Sequence, residues 1–196
     1  MSNMLSRQMR FPLAVSFVDR GSGQRVHGLV RIADEQHLLL WTGWRYRPRD
    51  EDRTWDWWGI YRECGMSGGR YECYAALAAN DLQGLMVLDL NMRRTGTGKG
   101  VIVDYLATNP SNRKPTRGFK HVGIALMAAA ITRSVDHGAG GRIWLESLPR
   151  AAGFYESLGM AKHTRRSAEG NLIYILDPAV AEQLLDVIRG QGIVVA

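Results

Sequence analysis

The chain predicts an α/β fold built on one mixed, mostly antiparallel sheet with helices packed on it. Three observations carry that expectation. Short β-rich segments of the first half return on themselves through turn residues, strands and helices alternate in the second half, and no Ser/Gly linker or charge block separates the halves. The 196 residues, 45% of them hydrophobic, suit one globular domain spanning 1–196 with a single sizeable core. No repeat of fixed period is present.

Leu13 to Val18 alternates, Gly21-Ser22-Gly23 makes a turn, and Val26 to Ile32 returns, which reads as a hairpin. His37 to Trp41 reads as a third short strand. Residues 42–66 interleave Trp44, Tyr46, Trp55, Trp57, Trp58 and Tyr61 with Arg45, Arg47, Arg49, Arg53 and Arg62. From about Asp50 to Cys64 the pattern predicts a helix, with acids at its start and Gly65 beyond its end. Tyr71 to Ala79 and Leu85 to Leu90 read as antiparallel strands joined near Asn80-Asp81. A loop rich in Gly and Arg, 93–100, leads to a strand from Val101 to Thr108, and 110–117 is a breaker-rich basic loop. Val122 to Val135 carries apolar residues at helical spacing, with Gly138 where the C-terminus would fall. A strand from Arg142 to Leu148, a short helix from Ala151 to Leu158, and the strand pair Ala161 to Arg166 and Leu172 to Leu176 follow. Asp177 and Pro178 fit as N-cap and first residue of a last helix, Ala179 to Arg189.

A formal charge of +6 favours an acidic partner: a nucleotide cofactor, a nucleic acid or an anionic surface. Cys64 and Cys73 are too few for a disulfide framework and lack metal-ligand spacing, so they read as reduced core thiols of a cytoplasmic protein, with no metal site. Arg7, Arg10 and Pro12 interrupt any secretory signal. The longest uncharged stretch, between Lys120 and Arg133, is short of the roughly 18 apolar residues a membrane span needs.

The segment 101–160 carries the chemistry. After its strand and basic loop comes Arg117-Gly118-Phe119-Lys120-His121-Val122-Gly123-Ile124-Ala125-Leu126-Met127. After the next strand comes Leu148-Pro149-Arg150-Ala151-Ala152-Gly153-Phe154-Tyr155-Glu156-Ser157-Leu158-Gly159-Met160. In order and in the residues at its joints, this segment resembles the cofactor-binding half of the GNAT superfamily of N-acetyltransferases. The first run corresponds to the family's phosphate motif, Arg/Gln-x-x-Gly-x-Gly/Ala. One register places Gly123 on the second motif glycine, His121 on the first and Gly118 on the Arg/Gln. The other makes Gly123 the first glycine, with Lys120 on the Arg/Gln and Ala125 last. In either, the resemblance implies that the loop through Gly118, Phe119, Lys120, His121, Val122, Gly123 and Ile124 binds the pyrophosphate of coenzyme A, because a tight turn entering a helix aims unpaired N–H donors and the positive end of the dipole at an anion. Arg113, Lys114, Arg117 and Lys120, with no acid among them, would neutralise the phosphates.

The second run matches the family's Asn-Pro-x-Ala-x-x-Phe-Tyr-x-x-x-Gly-Phe at Pro149, Ala151, Phe154, Tyr155 and Gly159. It departs at Leu148, where Ser147 stands ready as a partial polar replacement, and at Met160. Phe-Tyr-x-x-Leu-Gly also occurs in glyoxalase-like metalloproteins, but this chain lacks their duplicated halves. The resemblance implies acetyl-coenzyme A, a central sheet whose fourth and fifth strands splay apart, main-chain contacts to the cofactor from Leu106, Ala107 and Thr108, and Phe154 and Tyr155 beside it, with Tyr155 protonating the departing thiolate.

An amine acceptor must also lose a proton before it attacks. Asp104, an acid inside an apolar strand whose pKa burial would raise, and Glu146 on the next strand are the candidate bases, directly or through water. The acceptor side falls to residues 42–66, whose tryptophans either meet the substrate or anchor a helix on the sheet. Small amine, peptide and protein acceptors stay open. So do a GNAT-fold binding module that has lost turnover, motivated by His121 and Leu148, and a protein directed at nucleic acid or charged transfer RNA, motivated by net charge and the Trp/Arg segment. A homodimer stays open, since many members of that family dimerise.

Overall fold

The computed structural model describes residues 11–91 and 98–195. The Gly/Arg-rich loop expected over 93–100 therefore lies, as far as residue 97, outside the described residues. Among the described residues, nine strands form one sheet: β1 (Leu13–Asp19), β2 (Arg25–Ile32), β3 (Tyr71–Ala78), β4 (Asp81–Asp89), β5 (Val101–Thr108), β6 (Phe119–Lys120), β7 (Ile143–Ser147), β8 (Ala161–Arg166) and β9 (Leu172–Leu176). Their order across the sheet is β6-β1-β2-β3-β4-β5-β7-β9-β8. Every described pairing is antiparallel except β5 with β7, which needs a crossover. That crossover is helix α3 (Val122–Asp136).

Helices cover both faces. Tyr74, Ala76 and Ala78 of β3 and Met86 and Leu88 of β4 join α3 and α5 (Pro178–Gly190) in one core. Cys73 and Ala75 of β3 and Leu85 and Val87 of β4 join α1 (Glu35–Trp41) and α2 (Trp57–Met66) in a second. Alternating residues of one strand thus serve opposite cores, and this is why β3 and β4 read as nearly continuous apolar runs. Their hairpin turns through Ala79 and Asn80, both at positive φ, the geometry of a tight two-residue turn.

Two expectations need correction. The segment 37–41 is not a strand but the body of α1. Asp34 accepts from the His37 backbone N–H while the His37 imidazole accepts from the Asp34 N–H, and this reciprocal cap nucleates a helix that local β-propensity concealed. The helix expected over 50–64 is split. A short 3₁₀ turn covers Glu51–Thr54, and α2 starts afresh because the Asp56 side chain accepts from Trp58 N–H and caps it. Gly65 lies inside α2 rather than beyond it. Among the remaining elements, Pro178 opens α5 as expected and Asp177 precedes it, but the Asp177 carboxylate pairs with Arg142 instead of capping the helix. Cys64 and Cys73 are both free. No described helix is long and apolar enough to cross a membrane.

Helix α3 is locked to the sheet by a polar clamp. Arg133 donates two 2.7 Å hydrogen bonds to the Glu72 carboxylate of β3, and the Tyr74 hydroxyl donates a third at 2.6 Å. Burial pushes the Glu72 carboxyl up, but Arg133 and Tyr74 outweigh it and hold the group below its ordinary value of 4.5. A carboxyl depressed in the folded state stabilises the fold above its unfolded pKa, and that stability fades as pH falls through the folded value. Glu72→Gln is therefore expected to cost about 2 kcal/mol at neutral pH and progressively less in acid, measured by urea unfolding across a pH series.

Candidate functional site

The site begins with a defect in the sheet. On β4, Val87 pairs with Tyr105 and Leu88 with Val103, leaving Asp104 as an extra residue on β5. This β-bulge has two consequences. It shifts the side-chain alternation by one, so Val101 and Val103 pack in the α3 core whereas Tyr105 and Ala107 pack in the α1/α2 core. It also bends β5 away from β7. Pairing between these strands covers Val101 with Ile143, Ile102 with Trp144 and Val103 with Leu145, and stops there. β7 itself ends at Ser147, because Pro149 lacks an N–H and opens a 3₁₀ turn. The strands therefore part in a V, and β5 passes from buried to half-buried at Asp104.

A cavity of about 500 Å³ fills the V. The bulge gives it Asp104, half-buried; the end of β7 gives it Glu146, which is exposed; and helix α4 (Ala152–Ser157) gives it Tyr155. Three residues proposed for catalysis are thus brought to one space. Tyr155 is 6% exposed, and burial pushes its hydroxyl up to about 12. No partner for that hydroxyl is present among the described residues. Trp55 stands edge-on to Tyr105 at 5.0 Å and walls the same space, joined by Glu169 and Asn171 from the β8–β9 turn. Trp57, by contrast, is fully buried in the α1/α2 core, so the Trp/Arg segment divides between cavity wall and anchor.

The loop from β5 to α3 is built on asparagines. The Asn109 side chain accepts from Ser111 N–H at 3.0 Å and donates to Leu82 O at 3.2 Å. Asn112, buried, donates to the Gln83 backbone and side chain and accepts from Phe119 N–H at 2.7 Å. Gly118 closes against it at φ +76°, where an added Cβ would meet Asn112 Oδ1 at 2.4 Å. His121 follows, also at positive φ (73°), the conformation that favours glycine. This backbone favours the register that puts 121 on the first motif glycine. No side chain caps α3, so Val122, Gly123 and Ile124 direct unpaired N–H groups outward. Gly123 lacks a side chain because the Phe154 ring occupies that space, 3.1 Å from where a Cβ would stand. The two sequence motifs thus touch.

The His121 imidazole does not line the cavity. Burial first, then Arg25, Lys120 and Arg20, hold it below its ordinary pKa, and its Nδ1 is buried without a partner. Arg117 and Lys120 are exposed. Arg113 is committed elsewhere: its guanidinium donates to Asp52 at 2.8 Å and to the Thr108 carbonyl at 2.9 Å, with Asp50 at 3.3 Å. It is therefore spoken for by protein acids rather than standing with the free loop cations. Ala107 is buried, while Leu106 and Thr108 are half-buried along the V. Ser147, 1% exposed, donates its hydroxyl to the Leu148 carbonyl at 2.8 Å.

Residues 47–55 were not legible as a strap, yet they span the open end of the V. Asp50 and Asp52 hold Arg113 beyond β5, while Glu51 accepts from Arg150 N–H at 3.1 Å and Arg49 O from its guanidinium at 3.0 Å beyond β7. A hollow of about 300 Å³ lies beneath, sharing Leu106, Leu148 and Ala151 with the cavity. The run Asn109-Pro110-Ser111-Asn112 did carry a readable signal for the loop, since Asn side chains commonly cap their own turns. Nothing local in the sequence ties the acids at 50–52 to arginines 61 and 99 positions away.

No family model matches the sequence, and no curated protein does. Solved structures do. The AtaTR complex bound with acetyl-CoA matches at 17% identity over 80% of this chain and 97% of that one, with a TM-score of 0.57. The ribosomal-protein-S18-alanine N-acetyltransferase from Escherichia coli matches at 18% identity, 76% and 90% coverage and a TM-score of 0.51. An uncharacterized protein from Bacillus halodurans gives 7% identity, 92% and 98% coverage and a TM-score of 0.63. The chain has a GNAT-like fold. The strands expected to splay as fourth and fifth are β5 and β7, neighbours in this sheet.

Gly118→Ala tests the loop. The alanine would need both a left-handed backbone and room that Asn112 fills, so unfolding in urea is expected to show a loss of about 2–3 kcal/mol.

Proposed function

We propose that this chain is an N-acetyltransferase that moves the acetyl group of acetyl-CoA to a primary amine by direct attack in a ternary complex. The observation that carries this is the parting of β5 and β7 beyond Val103 and Leu145, which opens onto a cavity holding Asp104 and Tyr155. The similarity of the fold to AtaTR bound with acetyl-CoA supports it.

The residues present fit that cofactor. Unpaired N–H groups of Val122, Gly123 and Ile124 would hold the pyrophosphate, with exposed Arg117 and Lys120 as counter-charges. The loop at Gly118, Phe119 and His121 shapes their approach. Leu106, Ala107 and Thr108 on one side, and Ser147 and Phe154 on the other, would border the pantetheine arm, while Arg113 holds the strap over it. When bound, acetyl-CoA supplies a thioester carbonyl carbon and a thiolate leaving group.

The chain's own groups handle the protons. Asp104, at the bulge, takes the proton of the acceptor ammonium directly or through water; exposed Glu146 is the second choice for that role. Tyr155 donates its hydroxyl proton to the leaving sulfur and recovers one from solvent. A thiol pKa of about 8.5 makes this assistance modest. The segment 101–160 is then the cofactor half, and residues 42–66, through Trp55 and the strap, form the acceptor side.

Titration calorimetry with acetyl-CoA, followed by thiol release in the presence of amines, tests the reading. Binding and amine-dependent release are expected; no binding at high micromolar acetyl-CoA would remove it. Tyr155→Phe is expected to lower kcat by about 10²-fold with acetyl-CoA affinity kept. Because Tyr155 stays protonated until about pH 12, the wild-type kcat/KM is expected to rise with pH as the acceptor ammonium deprotonates. No falling limb from this residue should enter below about pH 11.

A further inference from the structure

The hollow beneath the strap at 47–55 is a site of a different kind from the cavity beside it. Arg47, Arg49, Arg113 and Arg150 line it together with Asp50, Glu51 and Asp52. The three carboxylates are engaged in holding the strap. Asp52 accepts from Arg113 at 2.8 Å, and Glu51 accepts from the Arg150 N–H at 3.1 Å. Asp50 accepts the Arg47 backbone N–H at 2.7 Å and stands 3.3 Å from the Arg113 guanidinium. The other arginines are less committed. Arg150 gives Nη1 to the Arg49 carbonyl at 3.0 Å, and the Arg49 side chain is exposed. Arg47 holds its Nη2 buried with no acceptor among the described residues. Its charge reaches Asp50, yet the two side chains form no ion pair among the described residues. Residues 1–10, 92–97 and 196 include no Asp or Glu, so every acidic side chain of the chain is among the described residues.

A guanidinium nitrogen shut away from water costs free energy until an oxygen pairs with it, and its planar fork matches a carboxylate bidentately. The acids in the same walls favour a single negative charge over the roughly −1.5 to −2 of a phosphate. The phosphates of acetyl-CoA are also assigned elsewhere, to the N-terminus of α3. That helix packs in one core, whereas Tyr46 and Trp55, which bracket the strap, pack in the core on the other face of the sheet.

Resting on the acetyl-transfer reading above, we propose that the hollow binds a carboxylate of the acceptor, through the Arg47 guanidinium with Arg49 and Arg150 beside it. The acceptor is then an amine that carries its own carboxylate, and the strap sets how far apart the two groups stand. Leu106, which the hollow shares with the cavity, lies two residues from Asp104, and Thr108 at the hollow's wall lies four. At about 3.3 Å per residue of strand, amine and carboxylate are about 7–13 Å apart. An ω-amino acid or a peptide of two or three residues spans that distance; an α-amino acid does not.

The test compares 6-aminohexanoate with hexylamine. Calorimetry on the full chain without acetyl-CoA is expected to show the amino acid binding about tenfold tighter. Arg47→Gln is expected to narrow that ratio to under about threefold, whereas Arg189→Gln on α5, on the other face of the sheet, leaves it unchanged. Arg47→Lys, which keeps the charge and loses the fork, is expected to fall between wild type and Arg47→Gln, and it serves if Arg47→Gln does not fold. A second arm titrates acetyl-CoA into wild type and the Arg47 variants, with affinities expected to agree within about twofold. In a third, acetylated product is read by mass spectrometry, with 6-aminohexanoate expected to show the higher kcat/KM. Equal binding of the two amines, no binding of either, or a ratio indifferent to both Arg47 variants would overturn the inference. So would a tenfold loss of acetyl-CoA affinity on changing Arg47, because the anion would then be the cofactor's. The first arm needs no acetyl-CoA, so a protein that prefers 6-aminohexanoate through Arg47 but binds no acetyl-CoA overturns the transfer reading alone.

Discussion

One extra residue on a strand organises this molecule. With Asp104 bulged out of the β4–β5 ladder, β5 changes both its direction and the face to which its side chains point. Up to Val103 it is an ordinary buried strand between β4 and β7; beyond it, its pairing with β7 stops. An unpaired edge of buried backbone is costly unless something else offers hydrogen bonds. Such an edge leaves backbone groups to which a bound molecule could pair, and the bulge sets a carboxylate at the point where the edge opens.

The rest of the structure holds that opening in shape. The Glu72–Arg133–Tyr74 clamp fixes α3 on β3, so the free N–H groups at the start of α3 are set by packing rather than by a cap. Asn112 and Gly118 fold the loop that leads into them, and the contact of Phe154 with Gly123 ties α4 to the same turn. Across the mouth, the strap at 47–55 is pinned by Arg113 on one side and Arg150 on the other. These ties join residues far apart in sequence, so the V is a product of the whole domain rather than of its two strands.

Much of this was legible in the chain, and what was not has physical causes. Apart from β6, the order of strands and helices from 101 to 176 followed from periodicity, and the joints at 117–127 and 148–160 pointed to the fold because backbone geometry there constrains residue type. The capping of α1 was missed because Asp34 and His37 act as a reciprocal pair, a pattern that apolar spacing does not register. The basic character of the loop was legible, but the pairing of Arg113 with Asp50 and Asp52 was not, because only tertiary structure brings those acids to it. Nor does the sequence show that the Ser147 hydroxyl turns to its own neighbour's carbonyl. The acids of the cavity could not be grouped from sequence, because the positions 104, 146 and 169 meet only through the sheet.

The central claim is that the β5–β7 ladder stops at Val103 and Leu145 to admit an acylated pantetheine. A crystal structure of the full chain grown with acetyl-CoA addresses it most directly. The expected result is density for the pantetheine arm between residues 104–108 and 146–148, with its phosphates against the N-terminus of α3. A ladder hydrogen-bonded continuously to Thr108, or cofactor density seated anywhere else, would contradict the account.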